Sequence, residues 1–305
     1  MQGRVINLNG GVYQVDLEDG KTVFVKARGK LRSVKTMAVN EKAISKKEEI
    51  VTIKLSPKVG DIVIIENEMI SQILPRKNSI IRPDIANVDQ ILLVFAAKEP
   101  DFSFYLLDLF IANILKQNIK PLITITKIDK LSLSELSDLK NHLNTYEKLG
   151  YEVLYVNSHT KEGLDNVSKH LAGKVTVLSG QTGAGKSTLI NALMPGFELQ
   201  TQEISYALGR GKHTTRQTTL YKYAGGYIGD TPGFSKLDIL GIEKKDLSSL
   251  FVEFSHYNCQ FRDCLHQKNA KGCGIYQAYL AEEILPSRYE SYLKMLELVS
   301  SKEKK

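Results

Sequence analysis

One octapeptide, Gly180-Gln181-Thr182-Gly183-Ala184-Gly185-Lys186-Ser187, restricts what this chain can fold into more than any other stretch. It fits the pattern G-x-x-x-x-G-K-S/T, in which glycines let successive backbone N–H groups curl around phosphate oxygens. The loop works only between a buried strand and a helix N-terminus, whose dipole adds to the attraction. Both flanks agree: Lys174-Val175-Thr176-Val177-Leu178 is apolar and β-rich, and Thr188-Leu189-Ile190-Asn191-Ala192-Leu193 reads as a helix. Lys186 is placed to reach the β- and γ-phosphates and Ser187 to put its hydroxyl on magnesium, with Thr188 counted beside them.

The surrounding chain supports an α/β layered domain. Gln90-Ile91-Leu92-Leu93-Val94-Phe95 is a continuous apolar run of the kind found in parallel strands buried on both faces. Pro121 to Ile125, Glu152 to Val156 and Tyr227-Ile228 are further strand candidates. Helical stretches at Leu106 to Leu115, Leu133 to Leu149 and Leu164 to Leu171 separate several of them. After the strand at Tyr227 comes Asp230-Thr231-Pro232-Gly233, a D-x-x-G arrangement. There Asp230 would hold magnesium through water and the Gly233 amide would meet the γ-phosphate. Between the two phosphate motifs lies Gly209-Arg210-Gly211-Lys212-His213-Thr214-Thr215-Arg216. It reads either as a switch segment whose Thr214 or Thr215 serves magnesium, or as a plain basic loop.

Two stretches suit a guanine base. Thr126-Lys127-Ile128-Asp129 resembles N-K-x-D: Asp129 would accept from the base N1–H and N2–H, and the stem of Lys127 would cover the ring. Thr126 stands where asparagine is usual, which puts the side-chain bond toward the phosphate loop in question and points to weaker nucleotide binding. Asn157-Ser158-His159-Thr160-Lys161-Glu162-Gly163-Leu164 aligns with S-A-K-T-x-x-G, making the Ser158 N–H a candidate contact to guanine O6. Together they favour GTP over ATP, although a P-loop ATPase or kinase is a competing reading. Their order is unusual. Base motifs precede phosphate motifs, as in a circularly permuted GTPase, and the segment after Gly233 runs directly into the C-terminal region. Nucleotide switching is therefore expected to move that region.

The flanks differ in kind. Arg4 to Ile6, Val12 to Leu17, Thr22 to Val25, Val51 to Ile53 and Asp61 to Ile64 read as short strands, with a hairpin turn at Asp19-Gly20. They suggest a small OB-type barrel. Lys26, Arg28, Lys30, Arg32 and Lys35 crowd one stretch, and on a strand the first four would share a face. The net charge of +7 fits an acidic partner, nucleic acid first. The alternative is a solvated edge that discourages aggregation. All three cysteines fall in Cys259-x4-Cys264-x-His266-x6-Cys273, a Cys3His set with structural zinc spacing, with His256 a less suitable substitute. An odd cysteine count argues against a disulfide framework. No run approaches the roughly 18 apolar residues of a spanning helix. The first ten residues lack signal-peptide character, so a cytoplasmic location without a membrane is expected. The predicted architecture is multi-domain: an OB-type barrel over 1–75, a circularly permuted P-loop α/β domain over 76–240, and a helical zinc-binding domain over 241–305.

The permuted order, the segment Gly209 to Thr215 and the cysteine spacing together resemble the ribosome small subunit-dependent GTPase A family, RsgA/YjeQ, over almost the whole chain. That resemblance implies a bacterial cytoplasmic enzyme that binds the nearly mature small ribosomal subunit through its rRNA. It implies GTP hydrolysis stimulated there and accompanying release, one structural zinc, magnesium with GTP, and a monomer. Phe234 follows D-x-x-G where Ras-type enzymes carry a glutamine. His213 looks like the family histidine proposed to orient water instead. A second reading is an RNA-binding scaffold with a degenerate nucleotide site, motivated by Thr126 and Phe234.

Overall fold

The computed structural model describes residues 1–29, 31, 34–39, 48–53, 56–80, 83–195, 218–230 and 241–303. Five strands close the N-terminal barrel: β1 (Gln2–Asn9), β2 (Val12–Leu17), β3 (Thr22–Ala27), β6 (Ile62–Glu66) and β7 (Met69–Ile73), in the order β1-β2-β3-β7-β6. β1 pairs antiparallel with both β2 and β6, and β3 pairs parallel with β7. Strand alternation puts Val5, Val15, Val25, Val63, Ile65 and Ile70 inside.

Two expectations change here. Val51 to Ile53 is no barrel strand. It belongs to β5 (Glu48–Ile53), which among the described residues pairs with β4 (Val34–Val39) alone, in a separate two-stranded ladder. The fifth barrel strand is β7, entered through Asn67 and Glu68, both with positive φ (49° and 59°), the backbone twist that suits a tight hairpin. The expected row of charges on one strand is also corrected. β3 stops at Ala27, so only Lys26 lies on it, and Arg28 beyond its end pairs with Glu66 at 3.6 Å. Lys30 and Arg32 lie outside the described residues, and Lys35 sits in β4.

After the short ladder β8 (Ser79–Ile80) and β9 (Ile85–Ala86), six strands form one sheet: β12 (Glu152–Tyr155), β11 (Lys120–Thr126), β10 (Gln90–Ala96), β13 (Val175–Gly180), β15 (Gly226–Asp230) and β14 (Thr219–Tyr223), in that order. All neighbours are parallel except β14, an antiparallel edge strand. Every residue of β10 is buried, as its unbroken apolar run predicts. The helices α1 (Phe104–Leu115) and α2 (Leu133–Lys148) pack on one face through Leu107, Phe110, Leu143 and Tyr146. The helices α3 (Leu164–Leu171) and α4 (Lys186–Leu193) pack on the other through Val167, Leu171, Leu189 and Ile190. The crossover after β10 uses one face and the helix after β13 the other. The topological switch point, where such sheets bind ligands at their carboxyl edge, therefore falls between β10 and β13.

The barrel is not a separate bead. Its Ile6 and Val59 share a core with Val88, Ile91, Val177 and Leu220 of the sheet region. At the other side, α1 is apolar nearly all round because Leu109 and Ala112 join a second core with Leu247, Phe251, Phe254, Ile275, Tyr289, Tyr292 and Met295. This seam encloses Arg288, which donates to Asp108 of α1 at 2.6 Å and clasps Glu253 through Nε and Nη2 at 2.7 and 2.8 Å. The Tyr146 hydroxyl also donates to Asp108, at 2.8 Å. Burial raises the Asp108 carboxyl above its ordinary range, against the opposing pull of Arg288. Breaking such a cluster by removing one member strands charge in the interior. Arg288→Met is expected to cost about 3–5 kcal/mol in denaturant unfolding. Replacing Arg288, Asp108 and Glu253 together with apolar residues should recover most of that loss.

Candidate nucleotide site and metal centre

The parallel strands bring their carboxyl ends to one edge: Ala96, Thr126, Tyr155, Gly180 and Asp230. At the switch point Gly180 adopts φ 126°, and a Cβ there would lie 2.0 Å from the Val94 carbonyl oxygen, so only glycine lets β13 turn this close to β10. Gln181 to Gly185 then curl into α4, whose N-cap is Gly185. The Lys186 ammonium donates to the carbonyls of Gly180 (2.9 Å) and Gln181 (2.7 Å), which fixes a cation across the mouth of the loop. Ser187 and Thr188 occupy the first turn of α4, and Ala184 is fully buried.

The base stretch abuts this loop. Thr126 ends β11, and its hydroxyl lies 2.6 Å from the Ala184 carbonyl and 3.2 Å from that of Phe95. The tie to the phosphate loop that Thr126 put in question is present: the shorter threonine reaches a loop carbonyl because β11 and β13 both flank β10 at the same depth. Lys127 takes a left-handed conformation (φ 55°), which turns the chain into the single helical turn Ile128–Lys130 and leaves Asp129 exposed. A Cβ on Gly185 would stand 3.9 Å from both Lys127 Cε and Thr126 Oγ1, so base stretch and phosphate loop form one surface. Thr126→Val should leave the Ala184 carbonyl buried without that donor and weaken GDP binding by about 1–3 kcal/mol. Titration with a fluorescent guanine nucleotide reads this directly, and unchanged affinity would remove Thr126 from the site.

The second base stretch is a built loop. The Asn157 side-chain oxygen accepts from the N–H groups of His159 (2.9 Å) and Thr160 (3.2 Å), and the Asn157 N–H donates to the Glu162 carbonyl. Gly163 (φ 78°) passes so close to β12 that a Cβ would lie 2.1 Å from the Tyr155 carbonyl. Asn157 is thus committed to shaping the loop. Among the described residues no protein acceptor takes the Ser158 N–H, which leaves it available to a ligand oxygen.

Sequence reasoning missed one wall of this site. The turn Glu99-Pro100-Asp101, between β10 and α1, ties the two motifs together. Lys127 donates to the Glu99 carbonyl, Lys130 pairs with the Glu99 carboxylate, and Gln181 Nε2 reaches the Asp101 carbonyl at 3.4 Å. The available signal was a proline turn ahead of Ser103, which caps α1. His213, Thr214, Thr215, Gly233 and Phe234 lie outside the described residues, and Asp230 is described only as the backbone end of β15.

The C-terminal cluster forms as its spacing predicts. One ligand atom each from Cys259, Cys264, His266 and Cys273 lie within 4.8 Å of one another, and His256 is not among them. Cys259 Sγ and Cys273 Sγ are 3.8 Å apart, and they stand 3.3 and 3.7 Å from His266 Nδ1. A tetrahedron with zinc–sulfur bonds of about 2.3 Å and zinc–nitrogen bonds of about 2.0 Å has edges of about 3.8 and 3.5 Å. The donor set therefore fits zinc, and the sulfur separation excludes a disulfide between those two cysteines. The Cys273 sulfur also accepts from the Tyr276 N–H at 3.3 Å, at the start of the helix Gly274–Leu280. Burial pushes the Cys273 thiol up to about 12 and lowers the His266 imidazole, so a cation must displace a thiol proton here but meets a neutral histidine. Among the described residues no helix is long and apolar enough to cross a membrane.

Comparison with known proteins adds a lineage to this geometry. The family model described as RsgA GTPase matches residues 73–240. "Small ribosomal subunit biogenesis GTPase RsgA" of Geobacillus thermodenitrificans is 42% identical over 299 residues, covering 96% of this chain and 95% of that protein. Its counterpart from onion yellows phytoplasma is 40% identical, covering 97% of each. Among solved structures, YjeQ from Thermotoga maritima superposes with a TM-score of 0.80 at 31% identity, covering 98% of each chain. YloQ, described as a circularly permuted GTPase, gives 0.77 at 31% identity, covering 99% of this chain and 95% of its own.

Proposed function

Since this chain belongs to the RsgA GTPase family, we propose that it hydrolyses GTP to GDP and phosphate while bound through rRNA to a maturing small ribosomal subunit. The observation that carries the reading is the junction of base stretch and phosphate loop through Thr126 and Ala184, in a chain related end to end to small-subunit biogenesis GTPases. That junction also removes one motive for regarding the nucleotide site as degenerate.

In this reading the N–H groups from Gln181 to Lys186 cradle the phosphates, and Lys186 neutralises charge that builds on the transferred group. Asp129 and the Ser158 N–H select guanine, with Lys127 over the ring. Ser187, a switch threonine (Thr214 or Thr215) and Asp230 would hold magnesium, which offsets phosphate charge when bound. The Gly233 amide would meet the γ-phosphate. Phe234 has no group able to orient water, so His213 takes that role through its imidazole. The Cys3His cluster would hold one structural zinc that folds the C-terminal segment. The division into a barrel over 1–75, a GTPase unit over 76–240 and a zinc unit over 241–305, a cytoplasmic location and a monomeric state belong to the same proposal.

The test is phosphate release from GTP and from ATP, with and without purified small subunits. Slow GTP turnover that rises sharply only with small subunits is the expected result. Equal use of ATP would remove the guanine assignment, and turnover indifferent to subunits would remove the partner.

A further inference from the structure

The strands β14 and β15 form a hairpin that joins the two stretches assigned to magnesium and the γ-phosphate: it begins at Thr219, just after the Gly209 to Arg216 segment, and ends at Asp230. This hairpin lies against the barrel, and one barrel side chain grips both of its strands. Asp16 of β2 is buried, its side chain only 4% exposed. Its Oδ1 pairs with Lys222 Nζ of β14 at 2.5 Å, and its Oδ2 accepts from the Tyr227 hydroxyl of β15 at 2.5 Å. Two further contacts surround the grip. The Arg4 guanidinium of β1 stands 5.4 Å from the centre of the Tyr227 ring, and Lys222 donates to the Gly20 carbonyl at 3.4 Å. Beneath them Ile6 and Val59 of the barrel share their core with Leu220 of β14, so displacement of the hairpin cannot be absorbed by a soft gap.

We propose that Asp16 is a positioning residue that couples the barrel to GTP hydrolysis, because it holds both strands of the hairpin whose ends lead into the segments assigned to magnesium and the γ-phosphate. Tyr227 lies three residues before Asp230 on the same strand, so a change in how the barrel holds Tyr227 is passed along β15 to that carboxylate. Coupling of this kind is reciprocal: nucleotide state alters the barrel by as much as barrel engagement alters nucleotide binding. The inference rests on the proposed function and takes the barrel as the part of the chain that meets the small subunit.

Three full-length variants separate the grip from general stability: Asp16→Asn, which keeps shape but loses the charge facing Lys222; Tyr227→Phe, which removes the other bond; and Lys222→Arg, which keeps it. In wild type, small subunits should raise turnover and bind the GTP-analogue form differently from the GDP form. In Asp16→Asn and Tyr227→Phe, turnover without subunits should be retained. Stimulation, and the ratio of the two subunit affinities, should each fall by about tenfold or more. Lys222→Arg, which keeps the charge facing Asp16, should retain both. A merely structural defect would lower basal turnover and leave the affinity ratio unmoved. Variants stimulated as strongly as wild type, with an unchanged ratio, overturn the coupling. If wild type itself ignores small subunits, the functional reading is what fails. Coupling is then decided by amide hydrogen exchange of β1 and β2 with GDP and with a GTP analogue. A nucleotide-dependent difference in wild type that Asp16→Asn abolishes supports it, and no difference in wild type overturns it.

Discussion

Treating the loaded protein with a strong chelator is expected to unfold residues 257–273 and the helix Gly274–Leu280, while the barrel, the six-stranded sheet and the C-terminal helix Pro286–Glu303 stay folded. The stretch from Tyr257 to Cys273 has no regular secondary structure, and its described backbone bonds are isolated ones: one tie across the loop, Gln260 N–H to the Gly272 carbonyl, and short turns such as Cys264 N–H to the Phe261 carbonyl. Apart from Cys273 its side chains are at most peripheral to the local core. Its order is therefore expected to come from a cation held by Cys259, Cys264, His266 and Cys273, whose ligand atoms already lie together. Structural zinc sites in small units contribute roughly 10–16 kcal/mol of apparent binding energy, more than a segment this sparsely packed holds otherwise.

The C-terminal helix is held differently, by Tyr289, Tyr292, Met295 and Leu296 in the core and by Arg288 against Asp108 and Glu253. It should therefore outlast the loop, although Tyr289 and Tyr292 will lose their hydroxyl bonds to the carbonyls of His266 and Leu265. Amide hydrogen exchange after chelation reads both parts at once. Protection lost over the loop and kept over the C-terminal helix and β10 is the expected pattern. Unaltered protection in the loop would show that the cysteines pack without metal. Acid should act in the same direction as chelator, because lowering the pH returns protons to thiols that must be thiolates to bind.

The sequence was most legible where chemistry and periodicity coincide. The phosphate loop, the run through β10, helix α3 and the cysteine spacing each impose one local geometry, and the structure has all of them. It was less legible where the deciding contact is distant. β7 carries only five residues and is defined by its turn at Asn67-Glu68 and by partners in β3 and β6 rather than by its own pattern. β14 was missed for the same reason: an antiparallel edge strand with a single fully buried residue, Leu220, has no buried run to announce it. Thr126 was misjudged because a motif compares residue types, whereas the bond depends on how near β11 brings the side chain to Ala184. Asp16, Asp108 and Arg288 were invisible as functional candidates. Their partners are 206 to 211, 180 and 35 residues away, and nothing local marks a charged residue as buried.

Replacing Asp129 by asparagine is expected to turn nucleotide preference from GTP toward XTP. Guanine offers two donors on one edge, N1–H and N2–H, and a carboxylate accepts both. An asparagine amide can accept only one while its NH2 opposes the second. Xanthine carries an oxygen at position 2, which the amide NH2 can meet. Sites built to match a particular donor pattern reject the mismatched base by factors on the order of 10,000. GTP affinity should fall by about that factor in Asp129→Asn while XTP gains hydrolysis. Stability should not fall with it. Asp129 is exposed, and among the described residues no protein donor holds its carboxylate, so the change falls within the roughly 0.5 kcal/mol typical of surface substitutions. Competition between GTP and XTP for a labelled nucleotide, with thermal unfolding alongside, separates lost selection from lost fold. A variant that still prefers GTP would mean that another group reads the base. The left-handed turn at Lys127, which starts the helical turn carrying Asp129, would then have a different purpose.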